Sequence, residues 1–189
     1  MTWTDEDRQY LLRFKNAVDS DDIKCKEIIK ELILSNKYIL HTLNNGELEQ
    51  DDAEPEDYYL NNIYPYYVVT ETLSEVKHFL CFETTYRDLQ RYNKSLKQMQ
   101  VIFYILINKH DAIENDVGVA RHDLIAALIQ DQLNHTNYFG GKIELVEDVS
   151  GAVDRDYILR TMIFEQITDN SLVKNGRLAN KDIRTRAEA

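Results

Sequence analysis

Histidine stands beside aspartate twice, at His110-Asp111 and His122-Asp123, and His78 and His135 supply further imidazoles. Such residues bind transition metals when several of them sit on rigid neighbouring elements at a defined spacing. The spacing here argues against one shared ion. His110 ends a predicted strand, His122 falls in the first turn of a predicted helix, and His135 lies at that helix's far end, roughly 20 Å away by helical rise. Asp123 suits the positive end of a helix dipole, and His122 reads as a surface or interface residue. Pro55-Glu56 followed by Glu75-Val76-Lys77 has the acid…acid-x-Lys order of Mg²⁺ nucleases, in which two carboxylates hold the metal and the lysine stabilises the attacked phosphate. Glu56, however, sits in an acidic run that repels DNA, and a chance match is easy in a chain with 33 acidic residues. No GxSxG, P-loop or GxGxxG occurs. Neither Cys25 nor Cys81 has a neighbouring base, and Cys81 reads as an inert thiol in an apolar strand. We therefore expect no catalytic residue, no cofactor and no metal.

The elements around these residues follow from period and punctuation. Residues 3–18 read as a helix that Thr4 caps, with Asp5, Glu6 and Asp7 in its first turn. A second helix starts at Ser20 and carries Ile28, Ile29, Leu32 and Ile33 as its stripe. A short helix, Lys37 to Leu43, stops at Asn44-Asn45-Gly46, where glycine accepts the left-handed conformation. Residues 47–57 hold a dense block of acids and no base, which reads as a solvated loop. Tyr58 to Thr70 is rich in Tyr, Val and Ile around Pro65, which implies an edge strand or a kink. Val76 to Thr85 alternates as a strand. Met99 to Asn108 is apolar on both faces, so it is expected to be central and covered on both sides. Val119 to Asn134 reads as an amphipathic helix with Asp116 as cap, Leu124 and Leu128 one turn apart, and Ile125, Ile129 and Leu133 beside them. Lys142 to Val149 alternates, a turn is expected at Ser150-Gly151, and Tyr157 to Thr168 is the last strand. The expected fold is α+β: N-terminal helices, then a mainly antiparallel β-sheet with one long helix packed across it. The boundaries are 1–46 for the helical segment, 47–57 for the acidic loop, 58–168 for the core domain and 169–189 for an extended C-terminal arm.

With 189 residues, 43% of them hydrophobic, the chain has enough apolar surface for one ordinary core. The net charge of −11 argues against wrapping nucleic acid, which needs clustered Lys and Arg. The N-terminus is acidic where a signal peptide is basic, and the longest apolar run, Val101 to Ile107, is far too short to span a bilayer. The two cysteines give no visible disulfide framework, so synthesis and retention in a reducing cytoplasm are expected, until a larger particle carries the protein out.

The remaining candidates are for contact rather than chemistry. Tyr58, Tyr59, Tyr64, Tyr66 and Tyr67 cluster, and tyrosine gives rigid contact area with one polar end. They suit an interface or an edge strand packing on its own sheet. Tyr86 to Lys97 reads as a long basic loop between strands, with Tyr86, Arg87, Arg91, Tyr92 and Lys94 as contact residues. In the C-terminal stretch, Lys174, Arg177, Lys181, Arg184 and Arg186 outnumber the acids while apolar content collapses. That pattern fits a solvated end, or an arm that orders on a neighbouring subunit.

Several short runs carry a resemblance: Phe79-Leu80-Cys81-Phe82-Glu83, Val101-Ile102-Phe103-Tyr104-Ile105, Arg121-His122-Asp123-Leu124-Ile125, Phe139-Gly140 and Arg160-Thr161-Met162-Ile163-Phe164-Glu165. With the order of elements, residues 58–172 resemble the tail-terminator or tail-completion group, small neck proteins of long-tailed bacteriophages. The N-terminal helices and the acidic block go beyond the compact form of that group, so terminator, head-closure stopper and connector adaptor all stay open. The resemblance implies a virion protein without chemistry of its own. It implies a homo-oligomeric ring, commonly a hexamer, that meets the head connector and the tail tube. DNA would pass through such a ring without being specifically bound, and no membrane is involved. A ring needs a heterologous interface whose rotation closes, and an acidic channel wall repels DNA in transit.

Overall fold

The computed structural model describes residues 4–15, 21–50, 53–68, 76–88, 96–153 and 155–169. Helix α1 (Asp5–Lys15) opens on a reciprocal cap. The Asp7 N–H donates to Thr4 Oγ1 at 3.2 Å, and the Thr4 N–H donates to Asp7 Oδ2 at 2.9 Å. Helix α2 (Asp21–Ser35) buries Cys25, Ile29, Ile33 and Leu34. Helix α3 (Lys37–Thr42) is capped by Asn36, whose Oδ1 accepts from the N–H groups of Tyr38 and Ile39.

The next stretch differs from expectation. Asn44, with φ 45°, supplies the left-handed residue, and Gly46 instead begins a further helix, α4 (Gly46–Gln50). Asparagine tolerates that conformation because its short polar side chain bonds locally. The acidic block 47–57 is therefore not simply a loop: α4 is followed by a 3₁₀ turn at Pro55–Tyr58 that Glu54 and Asp57 cap reciprocally. Carboxylates at helix starts are favoured by the dipole, which the reading from charge density alone overlooked.

The sheet has five strands in the order β1-β2-β3-β7-β6. They are β1 (Ile63–Tyr64), β2 (Phe79–Asp88), β3 (Leu96–Asn108), β6 (Glu144–Ala152) and β7 (Tyr157–Asp169). A separate pair, β4 (Ile113–Glu114) and β5 (Val119–Ala120), follows β3. Pairing in the large sheet is antiparallel except for β1, which lies parallel to β2 at one edge and ends at Pro65. A proline there leaves no ladder donor, so the strand stays short and peripheral. The fold is α+β, as composition and order imply. Strand β3 is central, and its register with β7 runs from Leu96↔Asp169 to Asn108↔Tyr157.

Helix α5 (Arg121–Leu133) packs over β3 and β7 with Ile125, Ala126, Ile129 and Leu133 buried. It starts two residues later than its apolar pattern suggests, and Asp116 does not cap it. Ala120 holds the cap position without a side-chain bond, because the β4–β5 hairpin separates Asp116 from the helix. Likewise Ser150-Gly151 is no turn: β6 continues to Ala152, with Ser150 opposite Arg160 and Gly151 opposite Leu159. Ladder pairing to a long neighbour overrides a local turn preference.

One face of the sheet, with Leu80, Phe82, Met99, Val101, Phe103, Ile105, Met162 and Phe164, packs against α2, α3 and α5. The opposite face carries a smaller cluster of Phe79, Cys81, Leu106 and Tyr157, covered by Tyr64, Tyr67 and Val68. Strand β3 contributes alternate residues to both, which is why it reads as apolar throughout.

Candidate functional site

Tyr64 packs its ring on Phe79 at 6.1 Å and on Tyr66 at 5.6 Å, and Tyr67 packs edge-on against Tyr104 at 4.8 Å. Tyr64 and Tyr67 therefore cover the second face of their own sheet, while Tyr66 stays half exposed at 50%. Glu83 accepts from the Tyr67 N–H at 3.3 Å and from the Tyr104 hydroxyl at 3.5 Å, which fixes this cover. Burial, then the Glu83 charge, pushes the Tyr104 hydroxyl above its ordinary pKa, so it stays a donor.

The expected basic loop 86–97 is shorter than its polarity suggests. Tyr86 and Arg87 belong to β2 and Lys97 to β3, with Tyr86 opposite Met99 and Arg87 opposite Gln98. Tyr86 packs on the helix-side core, its hydroxyl 3.7 Å from Cys25 Sγ and its ring under Lys97 Nζ at 4.0 Å. Arg87 is exposed. Cross-strand partners hold these polar residues in a ladder, a contribution invisible in a single strand's sequence. Arg91, Tyr92 and Lys94 lie outside the described residues, as do Lys174, Arg177, Lys181, Arg184 and Arg186.

The histidines part company. His110 is exposed, His135 sits beside Glu144 at 3.7 Å, and His122 sits beside Asp123 at 3.5 Å. Glu56 pairs with Lys30 at 2.8 Å, and Glu75 lies outside the described residues.

His78 alone enters a polar cluster, and that cluster was not foreseen. Its ring is fully buried where β2 begins. Nδ1 accepts from the Asn108 N–H at 3.1 Å, and Nε2 lies 3.1 Å from Asp111 Oδ2. A backbone N–H can only donate, so the imidazole proton is on Nε2 and points at Asp111. Asp111 also accepts from Asn44 Nδ2. Arg121, 3% exposed, donates from Nε to the Asp111 carbonyl at 3.1 Å and from Nη2 to Asp111 Oδ1 at 3.3 Å. Its Nη1 donates to the Thr42 carbonyl at 3.3 Å and pairs with Glu114. Asn62, also fully buried, donates to the His78 carbonyl at 2.9 Å and accepts from Asn45 at 2.6 Å. The cluster thus ties the end of α3, the segment before β1, the one end of the β2–β3 pair where β2 begins and β3 finishes, the β4–β5 hairpin and the start of α5. The sequence signal was Arg121: a cation at a helix start opposes the dipole and needs nearby acids.

Burial pushes the His78 pKa below 6.5, outweighing the pull of Asp111, and Arg121 lowers it further. Asp111 is also lowered: burial raises it, but the bonds from His78 and Asn44 and the charge of Arg121 together prevail. The folded state therefore binds fewer protons than the unfolded chain. The His78 contribution is complete above about pH 6.5 and is lost as pH falls from there through the folded pKa. Asp111 adds a second loss in stronger acid. The urea midpoint is expected to fall between pH 7.5 and 5.5, and to fall less in His78→Gln; parallel profiles in the two proteins would refute the assignment.

The YomW family model matches residues 26–166, from within α2 to within β7. The chain belongs to the YomW family. YomW is a phage-associated family, of Bacillus SPbeta-like prophages. No curated protein matches the chain. The YomW match takes in the whole polar cluster and nearly all of the sheet; α1 and residues 167–189 lie outside it.

Within the YomW match, β6 is an edge strand of the large sheet. It is a nine-residue strand at the end of the sheet order, and its side chains are exposed apart from Leu145. Val146 and Val149 are 53% and 55% exposed. Its inner side is secured by Arg160, which grips Asp148 through two bonds of 2.7 Å and also pairs with Asp123 at the start of α5. The Asp148 bonds, acting against partial burial, hold the guanidinium pKa above its ordinary value. A bidentate pair of this kind fixes orientation as well as charge. The strand is thus held with its outer edge toward solvent beyond Leu145, whose N–H donates to Asn134 Oδ1 at 3.0 Å.

Proposed function

We propose that this protein is a structural component of the phage head–tail neck, a tail terminator or tail-completion unit that assembles as a homo-oligomeric ring. It caps the tail tube and gives the head connector a docking surface. The observation that carries this reading is the long exposed edge of β6, held in place by Arg160. Among the described residues no further strand pairs with it, and beyond Leu145, whose N–H donates to Asn134 Oδ1 at 3.0 Å, such an edge presents backbone donors and acceptors that another chain can complete. Phage association of the family supplies the setting. A net charge of −11 suits a channel through which DNA moves without adhering. On this reading the protein is no enzyme and works through shape and contact, and its site of action is the virion. Head-closure protein and connector adaptor are the neighbouring roles that the same edge would serve.

Peptide analysis of purified particles tests it. The protein is expected in the particles, and a phage lacking its gene is expected to yield heads and tails that do not join. Absence from particles, together with intact particles from the deletion phage, would overturn the proposal.

A further inference from the structure

The outer edge of β6 has three possible occupants: the same strand of a second copy, a foreign strand, or a segment of this chain. Strand β6 carries Glu144, Glu147 and Asp148 and no base. Glu144 pairs with Lys142 and Asp148 with Arg160 in the same copy, which leaves Glu147 as the acid of this strand with no ion pair among the described residues. Pairing with its own copy would bring further acid to the edge, which destabilises a sheet. A bulge between Leu145 and Glu147 further interrupts a regular edge-to-edge match. The occupant that fits is therefore basic.

Besides the 86–97 stretch, whose two ends are fixed in the β2–β3 ladder, the chain contains one such segment. Residues 170–189, which follow directly on β7, hold five bases against Asp182 and Glu188, with Leu172, Val173, Leu178 and Ile183 to meet the exposed valines. Twenty residues reach roughly 66 Å when extended, ample to cross to a neighbour. The direct path back to β6 of the same copy is taken by another segment. The 137–143 turn lies along the last residues of β7: Gln166 Nε2 donates to the Phe139 carbonyl at 3.0 Å, and a Cβ on Gly141 would lie 3.2 Å from the Ile167 carbonyl. That turn occupies the β6 side of β7 just before the chain leaves it.

We propose that residues 170–189 of one copy dock on the outer edge of β6 of the next copy, charge against charge, and so make the head-to-tail contact of the assembly. The contact is heterologous, so its repetition makes a ring where the rotation closes. This inference rests on the oligomeric reading above and names its interface.

The test uses two full-length proteins with different tags, one carrying Val149→Cys and the other Leu178→Cys; Cys25 and Cys81 are buried and remain in both. After mixing and mild oxidation, a disulfide joining the two tagged proteins is expected. Adding Glu147→Lys to the first is expected to lower its yield about two- to fivefold, the scale of a charged cross-strand pair. Changing Arg177 and Lys181 to Glu in the second should restore it. In a third protein carrying both substitutions, a bridge formed only within one copy overturns the proposal, as does, in the mixture, a bridge only between two Val149→Cys copies or none. Failure here and failure of the neck reading are separable. Rings seen by native mass measurement without a 149–178 bridge remove only this contact, whereas a 149–178 bridge in a protein absent from particles removes only the neck assignment.

Discussion

Replacing Arg121 by methionine is expected to cost about 3–5 kcal/mol of folding stability, the scale for stripping the partner from a buried ion pair. The side chain is 3% exposed and Glu114 is 8% exposed, so little water reaches the carboxylate left behind. The Asp111 and Thr42 carbonyls also lose their donors. Arg121→Lys keeps the charge but not the planar fork, and is expected to fall between wild type and methionine. Pairing Arg121→Met with Glu114→Gln should recover part of the loss, because no unpaired charge then remains at that position. Urea unfolding of the variants checks this, and a methionine variant within about 1 kcal/mol of wild type would show that the cluster carries little net stability. The damage has a direction in the fold: it loosens the start of α5 and the turns that follow β3, on which the helix layer rests.

The second large effect lies at the centre of the sheet. Phe103 is fully buried on β3, edge-on to Phe164 of β7 at 5.9 Å and 87°. Phe103→Ala is expected to cost about 3–5 kcal/mol, from lost transfer energy plus the cavity left between sheet and helices. Phe103→Leu retains most of the volume and should cost much less. In a double-mutant cycle with Phe164→Ala, the coupling should be about 0.5–1.5 kcal/mol, the part due to ring geometry. Full additivity would mean that the two rings contribute only as separate apolar volumes.

These two positions differ in how readable they are. Phe103 stands out in the sequence because Val101 to Ile107 is apolar in every position, and alternation of side chains is a local consequence of extended backbone. The same local rules give the apolar stripes of α2 and α5, the cap at Thr4 and the peripheral strand at Pro65. They also give the α+β order. Each depends on residues a few positions apart.

The polar cluster obeys no such rule. Asn44 and Asp111 are 67 positions apart and Arg121 and Thr42 are 79 apart, and they meet only because the sheet returns β3 beside the end of α3. Adjacent histidine and aspartate invite a metal reading that their spacing argues against, and it is packing that brings His78 to Asp111 and leaves the other histidines elsewhere. Strand ends followed the same logic. Tyr86, Arg87, Ser150 and Gly151 look like loop residues alone and become strand when β3 and β7 lie alongside, since ladder bonds come from the neighbour. The chain's own letters settle periodicity, charge and hence fold class, because those act over one turn or one pleat. Which polar groups are buried together, and which edge of the sheet stays open, follow from contacts between distant segments, whose energies exist only once the chain has folded.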